Sequence, residues 1–248
     1  VLGSDLRQRL PLLMQRLRKR GLAGKPVSRI GAMNYRTNMD ISSDALIRPR
    51  DWSAVIASAM EQVSALGKTA AGFDAWVAAV TDRHDAGKIL ADALISDSCA
   101  LLVGEEIRSH ADAAALIHGL DLLMRACGHA EKTNDGRNLI PEGMNTQVLN
   151  ATFGDVRISA GDLFAAASAG ELDALILIGS DPLGDGLFPS AAKAAFKKVP
   201  LVQIAAVSGQ VSDYAAVQLP AAAYAEIEGT FVNMEGRIRV ASNPIKSL

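Results

Sequence analysis

Three apolar runs along the chain end in the same way. Val1-Leu2, Leu101-Leu102-Val103 and Leu175-Ile176-Leu177-Ile178 each meet a glycine, then polar or acidic residues, then a helical pattern. The turns are Gly3-Ser4-Asp5, Gly104-Glu105-Glu106 and Gly179-Ser180-Asp181-Pro182. Short apolar runs without alternation predict strands buried on both faces of a parallel sheet. A glycine at the carboxyl end lets the backbone turn sharply toward a helix. Leu6, Leu10, Leu13 and Leu17 fall at helical spacing and predict one helix, ending in Arg16, Arg18, Lys19 and Arg20 and stopped by Gly21. Trp52, Val55, Ile56, Ala59, Met60 and Val63 make a second stripe. Leu116, Ile117, Leu120, Leu123, Met124 and Cys127 make a third, opened by a capping box from Ser109 to Asp112. Ser159 and Asp162 open a shorter helix that ends near Gly170. Asp82, His84 and Asp85 read as another helix start. Further strands are expected at residues 27–31 and 200–205. Residues 230–233 and 237–241 flank Met234-Glu235-Gly236 as a hairpin. Residues 52–95 carry two or three helices with little strand signal, and residues 132–150 read as a long polar loop with at most a short helix. The pattern predicts an α/β fold, doubly wound, with mostly parallel sheets, flanking helices and a helical insertion. It forms one region over residues 1–248, divisible into 1–97 and 98–248.

Composition narrows the chemistry. The chain has 248 residues, 49% of them hydrophobic but only 4% aromatic, so Ala, Leu, Val and Ile fill the core. A net charge of −2 excludes a general electrostatic case for nucleic acid. The six basic residues from Arg7 to Arg20 are a local exception, read as a solvated helix end that complements the dipole. Cys99 and Cys127 stand in separate apolar stretches, which predicts free thiols and a reducing compartment. Iron–sulfur clusters need about four ligands, mostly thiolates, so this chain alone is not expected to hold one. His84, His110, His118 and His129 show no ligand spacing. No apolar run reaches the roughly 18 residues of a membrane span. The start at Val1 reads as the end of a strand, as expected for a piece of a longer polypeptide.

The three glycine turns are the first candidate sites, because ligands of open parallel sheets sit at the carboxyl ends of strands. Each turn carries acid: Asp5, Glu105 with Glu106, and Asp181. A carboxylate repels phosphate and can itself cap the helix, and none of the turns matches a dinucleotide or P-loop fingerprint. Tight binding of NADH is therefore not expected, and no catalytic residue emerges from spacing. The last candidate is the dense stretch 226–237. Its Glu226, Glu228 and Glu235 bring three negative charges together with Arg237 and Arg239 the nearest cations, and a bidentate Arg–carboxylate pair, Arg237 with Glu228, is expected to pin the hairpin.

That last stretch also carries a resemblance. Leu219-Pro220-Ala221-Ala222, then Glu226-x-Glu228-Gly229-Thr230, then Asn233-x-Glu235-Gly236-Arg237 resembles the signature near the end of the molybdopterin oxidoreductase superfamily. With Tyr224 and Val232-Asn233-Met234 it is most similar to the branch formed by the large peripheral subunit of bacterial NADH:quinone oxidoreductase, complex I. Gly179-Ser180-Asp181-Pro182 resembles that superfamily's Gly-x-Asn-Pro turn, with Asp181 where Asn is usual. Gly3-Ser4-Asp5-Leu6-Arg7, Pro11-Leu12 and Arg16-Leu17-Arg18 resemble its upstream turn and basic helix, with Leu6 in place of Pro. Residues 101–104 fit its middle strand. The resemblance implies a structural and assembly domain of the peripheral arm, in a subunit whose iron–sulfur clusters relay electrons from NADH toward quinone. The cysteine-rich region that holds those clusters is not in this sequence. The implied partners are other peripheral-arm subunits, with no nucleic acid and no direct membrane insertion, and the implied location is the cytoplasmic side of the membrane. No cofactor, metal or catalytic residue is expected in the chain itself. A vestigial pocket would comprise Gly179, Ser180, Asp181, Glu226 and Gly229. The alternatives are part of an oxidoreductase dependent on molybdopterin guanine dinucleotide, of nitrate reductase or formate dehydrogenase type, and a stand-alone nucleotide-binding module.

Overall fold

The first apolar run is the middle of a sheet. Leu2 donates its N–H to the Leu102 carbonyl at 2.8 Å, and Gly3 donates to Ile30 at 2.8 Å, so the chain's start is paired in parallel on both sides. This comes from a computed structural model, which describes all residues except 131–135, 142, 144, 154–157, 187, 243–244 and 246–248. The chain divides into two compact units, Val1–Glu142 and Gly143–Leu248. The division falls later than residue 97 because the run ending at Val103 pairs with Leu2 in the first unit.

In the first unit the predicted leading helix is two helices, α1 (Leu6–Arg9) and α2 (Pro11–Leu22). Leu10 between them has φ −137° and ψ 68°, since a residue before proline is pushed out of the α region. Gly21 lies inside α2. The stop comes at Gly24, whose φ is +72°, with the Lys25 N–H closing back onto the Arg20 carbonyl. Strand β1 (Ser28–Gly31) pairs in parallel with β2 (Ser43–Leu46). Sequence reading missed β2, a short stretch with a polar first half. It is held by Arg29, which donates to both carboxylate oxygens of Asp44 (2.9 and 2.5 Å) and to the Tyr35 carbonyl.

Three helices follow: α3 (Trp52–Ala65), α4 (Phe73–Ala79) and α5 (Ala86–Ile95). After them come β3 (Ala100–Val103), α6 (Glu105–Arg108), α7 (Ala113–Ala126) and β4 (Gly136–Leu139), which runs parallel to β3. Part of the expected 132–150 loop is thus a strand, and its residues 132–135, 142 and 144 lie outside the described ones. The predicted capping box does not form. Ser109 closes α6, and the Asp112 N–H donates to His110 Nδ1 at 3.0 Å. The sheet reads β2, β1, Leu2, β3, β4, all parallel. The predicted α3 stripe, Trp52 to Val63, is fully buried against Leu90, Leu94, Leu116, Leu120 and Leu123. Each such aliphatic side chain stabilises the unit by about 1.5–3 kcal/mol. Cys127 and Cys99 are not joined in a disulfide, and burial pushes the Cys127 thiol up from its ordinary value.

The second unit contains α8 (Thr146–Phe153) and α9 (Ala160–Ala169). Ser159 caps α9 as expected, accepting from the Asp162 N–H at 3.1 Å, and Gly170 ends it with φ +80°. Then β5 (Leu175–Ile178), α10 (Pro189–Phe196), β6 (Leu201–Ala205) and β7 (Val217–Pro220) build a parallel sheet in the order β5-β6-β7. Phe164 of α9 meets Phe196 of α10 edge-on at 5.7 Å, over Leu175 and Leu201. Burial of β5 on both faces is not what the structure shows. Leu175 is buried while Ile176 and Ile178 are 63% and 72% exposed, because the core around Leu175 is built with α9 and α10 on one face. Strands β8 (Gly229–Val232) and β9 (Ile238–Ala241) form the expected antiparallel hairpin.

Candidate functional site

The order of the first sheet creates a crevice. From Leu2 the chain winds outward to β1 and β2, then returns through α3–α5 to the other side of Leu2 at β3. The loops after Leu2 and after β3 therefore leave in opposite directions, which opens a cleft at the carboxyl ends of these strands. Gly3, Gly31 and Gly104 all lie at that edge. At Gly104 a β-carbon would collide with the Gly3 carbonyl and the Ser4 side chain, so only glycine allows the two turns to approach this closely.

Glu106 crosses the cleft. Its side chain leaves the turn after β3 and lies against Gly3, where an added β-carbon would be 2.6 Å from Glu106 Cβ. Its Oε2 then accepts from the Ala32 N–H, just beyond β1, at 2.8 Å. Among the described residues, Glu106 Oε1 is buried without a hydrogen-bond partner, as is the Ser4 hydroxyl. Arg9 of α1 pairs with Glu105 at 3.0 Å and joins the same two loops. Asp5 Oδ1 accepts from the Arg7 and Gln8 N–H groups at 3.1 and 3.4 Å, capping α1. Burial raises the Glu106 carboxyl above its ordinary value; the Ala32 N–H opposes this and Glu105 adds to it. Burial also raises Tyr35, reinforced by Glu106, Glu105 and Asp5 and opposed by Arg9. A phosphate oxygen brought to about 4 Å from an ionised Glu106 would meet repulsion of about 4 kcal/mol at an effective dielectric constant near 20.

In the second unit, Gly179 leaves β5 with φ +63° and donates to the Ile204 carbonyl at 2.8 Å. Asp181 is fully engaged. Its Oδ1 accepts from Leu183 (3.2 Å) and Gly184 (2.9 Å), and its Oδ2 from Gln210 (2.7 Å) in the loop after β6. The Gly184 N–H foremost, with those of Gln210 and Leu183, holds the carboxyl below the usual range. A side chain at Gly209 would strike Asp181. Of the five residues expected to share a pocket, Gly179, Ser180 and Asp181 form this turn. Glu226 instead accepts from the Ala223 N–H within its own turn at 2.8 Å, and Gly229 opens β8. The bonds of Glu226 and Asp181 thus serve two separate turns. The hairpin is pinned differently from expectation too. Arg237 pairs with Glu235 at 2.8 Å, both largely exposed, and Asn233 Oδ1 accepts from the Glu235 and Arg237 N–H groups. Asn145, which carried no signal in the sequence, accepts from the Val232 N–H at 2.7 Å and ties the hairpin to the start of α8.

Two cavities lie elsewhere. One of about 310 Å³, lined by Ser28, Cys99 and Leu101, sits by the amino ends of the first sheet. Another of about 280 Å³, lined by Gln203, Ser208 and Pro220, sits at the carboxyl ends of β6 and β7. Among the described residues no group of three His, Cys, Asp or Glu is placed to hold a metal ion, and no helix is long and apolar enough to cross a membrane.

Comparison with known proteins agrees with this architecture. Over 87 residues, 35% of this chain, the sequence is 39% identical to the G subunit of the NADH-quinone oxidoreductase of Streptomyces coelicolor. The matched segment spans 10% of that protein's length. The fold resembles a chain of the formyltransferase/hydrolase complex FhcABCD from Methylorubrum extorquens, solved with methylofuran. That likeness has a TM-score of 0.55 at 16% identity, covering 90% of this chain and 60% of the other. The family model for molybdopterin oxidoreductase matches residues 1–247, and the chain belongs to that family.

Proposed function

We propose that this chain is a structural and assembly domain of the peripheral arm of a bacterial NADH:quinone oxidoreductase. The observation that carries the reading is the 39% identity to the Streptomyces NADH-quinone oxidoreductase protein. The geometry supports it, because the acids at the candidate turns are already used. Asp5 caps a helix, Asp181 binds three backbone N–H groups and Glu106 binds a fourth. Groups engaged in this way hold loops together and are not poised for chemistry. The intact subunit would carry electrons through iron–sulfur clusters outside this sequence, and other arm subunits would pack on it at the cytoplasmic side of the membrane.

Deleting residues 1–248 from the parent subunit tests the reading. The arm should then fail to assemble, with loss of the NADH-oxidising band on a native gel. An assembled arm with normal NADH turnover would overturn it. Molybdenum-dependent turnover of nitrate or formate by the parent would instead support the enzyme alternative.

A further inference from the structure

The family implies a pterin dinucleotide, whose phosphates in a doubly wound fold would approach the carboxyl ends of the strands. We infer that in this chain Glu106 closes that approach in the first unit, so the nucleotide end of such a cofactor does not fit there. The inference deepens the scaffold reading, while the choice of cofactor comes from the family.

Three observations carry it. The first is space. The glycine edge that would let a phosphate near the backbone is filled from the protein's own side, with Glu106 packed against Gly3 and its oxygens beside Gly31. The second is the donor set. A phosphate needs N–H and O–H donors, yet the Ala32 N–H is taken by Glu106 and the Arg7 and Gln8 N–H groups by Asp5. Among the described residues, the buried polar atoms at this edge without a hydrogen-bond partner are two carboxylate oxygens, Glu105 Oε2 and Glu106 Oε1, and the Ser4 hydroxyl. The third is the strap. The Arg9–Glu105 pair spans the two loops that would have to part, and it occupies a cation that could otherwise meet a phosphate. Glu105 is the charged neighbour that acts on Glu106, and both face Tyr35, which Asp5 and Arg9 also approach; the one cation of this group, Arg9, is paired with Glu105.

The test uses the full chain with GDP and inorganic pyrophosphate as probes, followed by calorimetry and amide NMR. Wild type should show no saturable binding at millimolar probe and no shifts at the Gly3, Ala32 and Gly104 amides. Glu106→Ala should bind GDP at least about tenfold more tightly, with shifts at those amides. GDP binding to wild type at those amides overturns the inference, and so does a folded Glu106→Ala that gains nothing. If Glu106→Ala does not fold, the Ala32 amide of wild type gives a second readout. Its proton shift should titrate with the Glu106 carboxyl, and Glu106→Gln should abolish that titration. An Ala32 amide that does not titrate overturns the inference. None of these outcomes depends on which complex contains the chain, so failure here is separable from failure of the assembly reading.

Discussion

Two helical glycines in the first unit should respond oppositely to the same substitution. Gly87 lies in the first turn of α5 where that helix crosses α3. A β-carbon there would lie 2.8 Å from the Val55 carbonyl oxygen and 2.9 Å from the Ala59 nitrogen, and would overlap the Ser58 side chain. Non-bonded heavy atoms prefer about 3.5–4.0 Å, and two of these atoms are backbone, so the helices must separate. Separation would also strain the bond from the His84 N–H to Ser58 Oγ, now 2.9 Å. Overpacking of this kind costs about 1–3 kcal/mol, and helix propensity returns at most about 1 kcal/mol near a helix end. Gly87→Ala should therefore destabilise the unit by about 2 kcal/mol. Gly21, inside α2, has only the Asp40 carbonyl near, at 3.9 Å, so Gly21→Ala should be neutral or stabilising by up to about 1 kcal/mol. Both tryptophans, Trp52 and Trp76, lie in this unit, so tryptophan fluorescence during urea unfolding reads it selectively. The midpoint should fall for Gly87→Ala and hold or rise for Gly21→Ala. A Gly87→Ala protein as stable as wild type would refute the helix contact on which this core is built.

Other outcomes follow from the turns. Because the folded-state pKa of Glu106 is raised, its neutral form is favoured by folding, and its contribution is lost as pH rises through that value. Wild-type stability of the first unit should thus decline from about pH 4.5 upward relative to Glu106→Gln, read by the same fluorescence. The Asp181 pKa is depressed, so its contribution is present above the ordinary 3.8 and lost as pH falls through the folded value. Asp181→Ala should cost about 1 kcal/mol at neutral pH, discounted for exposure, and circular dichroism melting should register it. Arg237→Ala should change stability by less than about 0.5 kcal/mol, since the pair with Glu235 is exposed. Asn233→Ala should cost about 1 kcal/mol, and amide exchange should show faster opening of the β8–β9 turn.

The fold was legible where local physics decides it. The α3 stripe, the capped α9 and the turns at Gly3 and Gly179 follow from spacing and backbone freedom, whereas Gly104, in extended backbone, is required by the close approach of Gly3 and Ser4. Where a second constraint intervenes, periodicity misleads. Pro11 breaks the leading leucine stripe at Leu10, and β2, with Ser43 and Asp44, has no apolar run to announce it. Asp5 caps α1 as its position suggests, whereas Asp181 closes a turn and binds Gln210, since α10 begins only at Pro189. Glu106 could be flagged as a turn acid, but the strand order that sends it across Gly3 to Ala32 is a tertiary fact. Arg237 found Glu235, two residues away, and not Glu228, because the hairpin register decides which carboxylate is within reach.

This chain's proposed role as an assembly domain of an NADH:quinone oxidoreductase makes a direct claim about the parent complex. The most direct test is to tag its parent subunit at the native locus and purify the complex in mild detergent. Metal content and NADH:quinone turnover are then measured on the same sample. The expected result is NADH-dependent quinone reduction with iron and no molybdenum in the purified assembly. Stoichiometric molybdenum with extractable pterin, and no NADH oxidation, would contradict the claim.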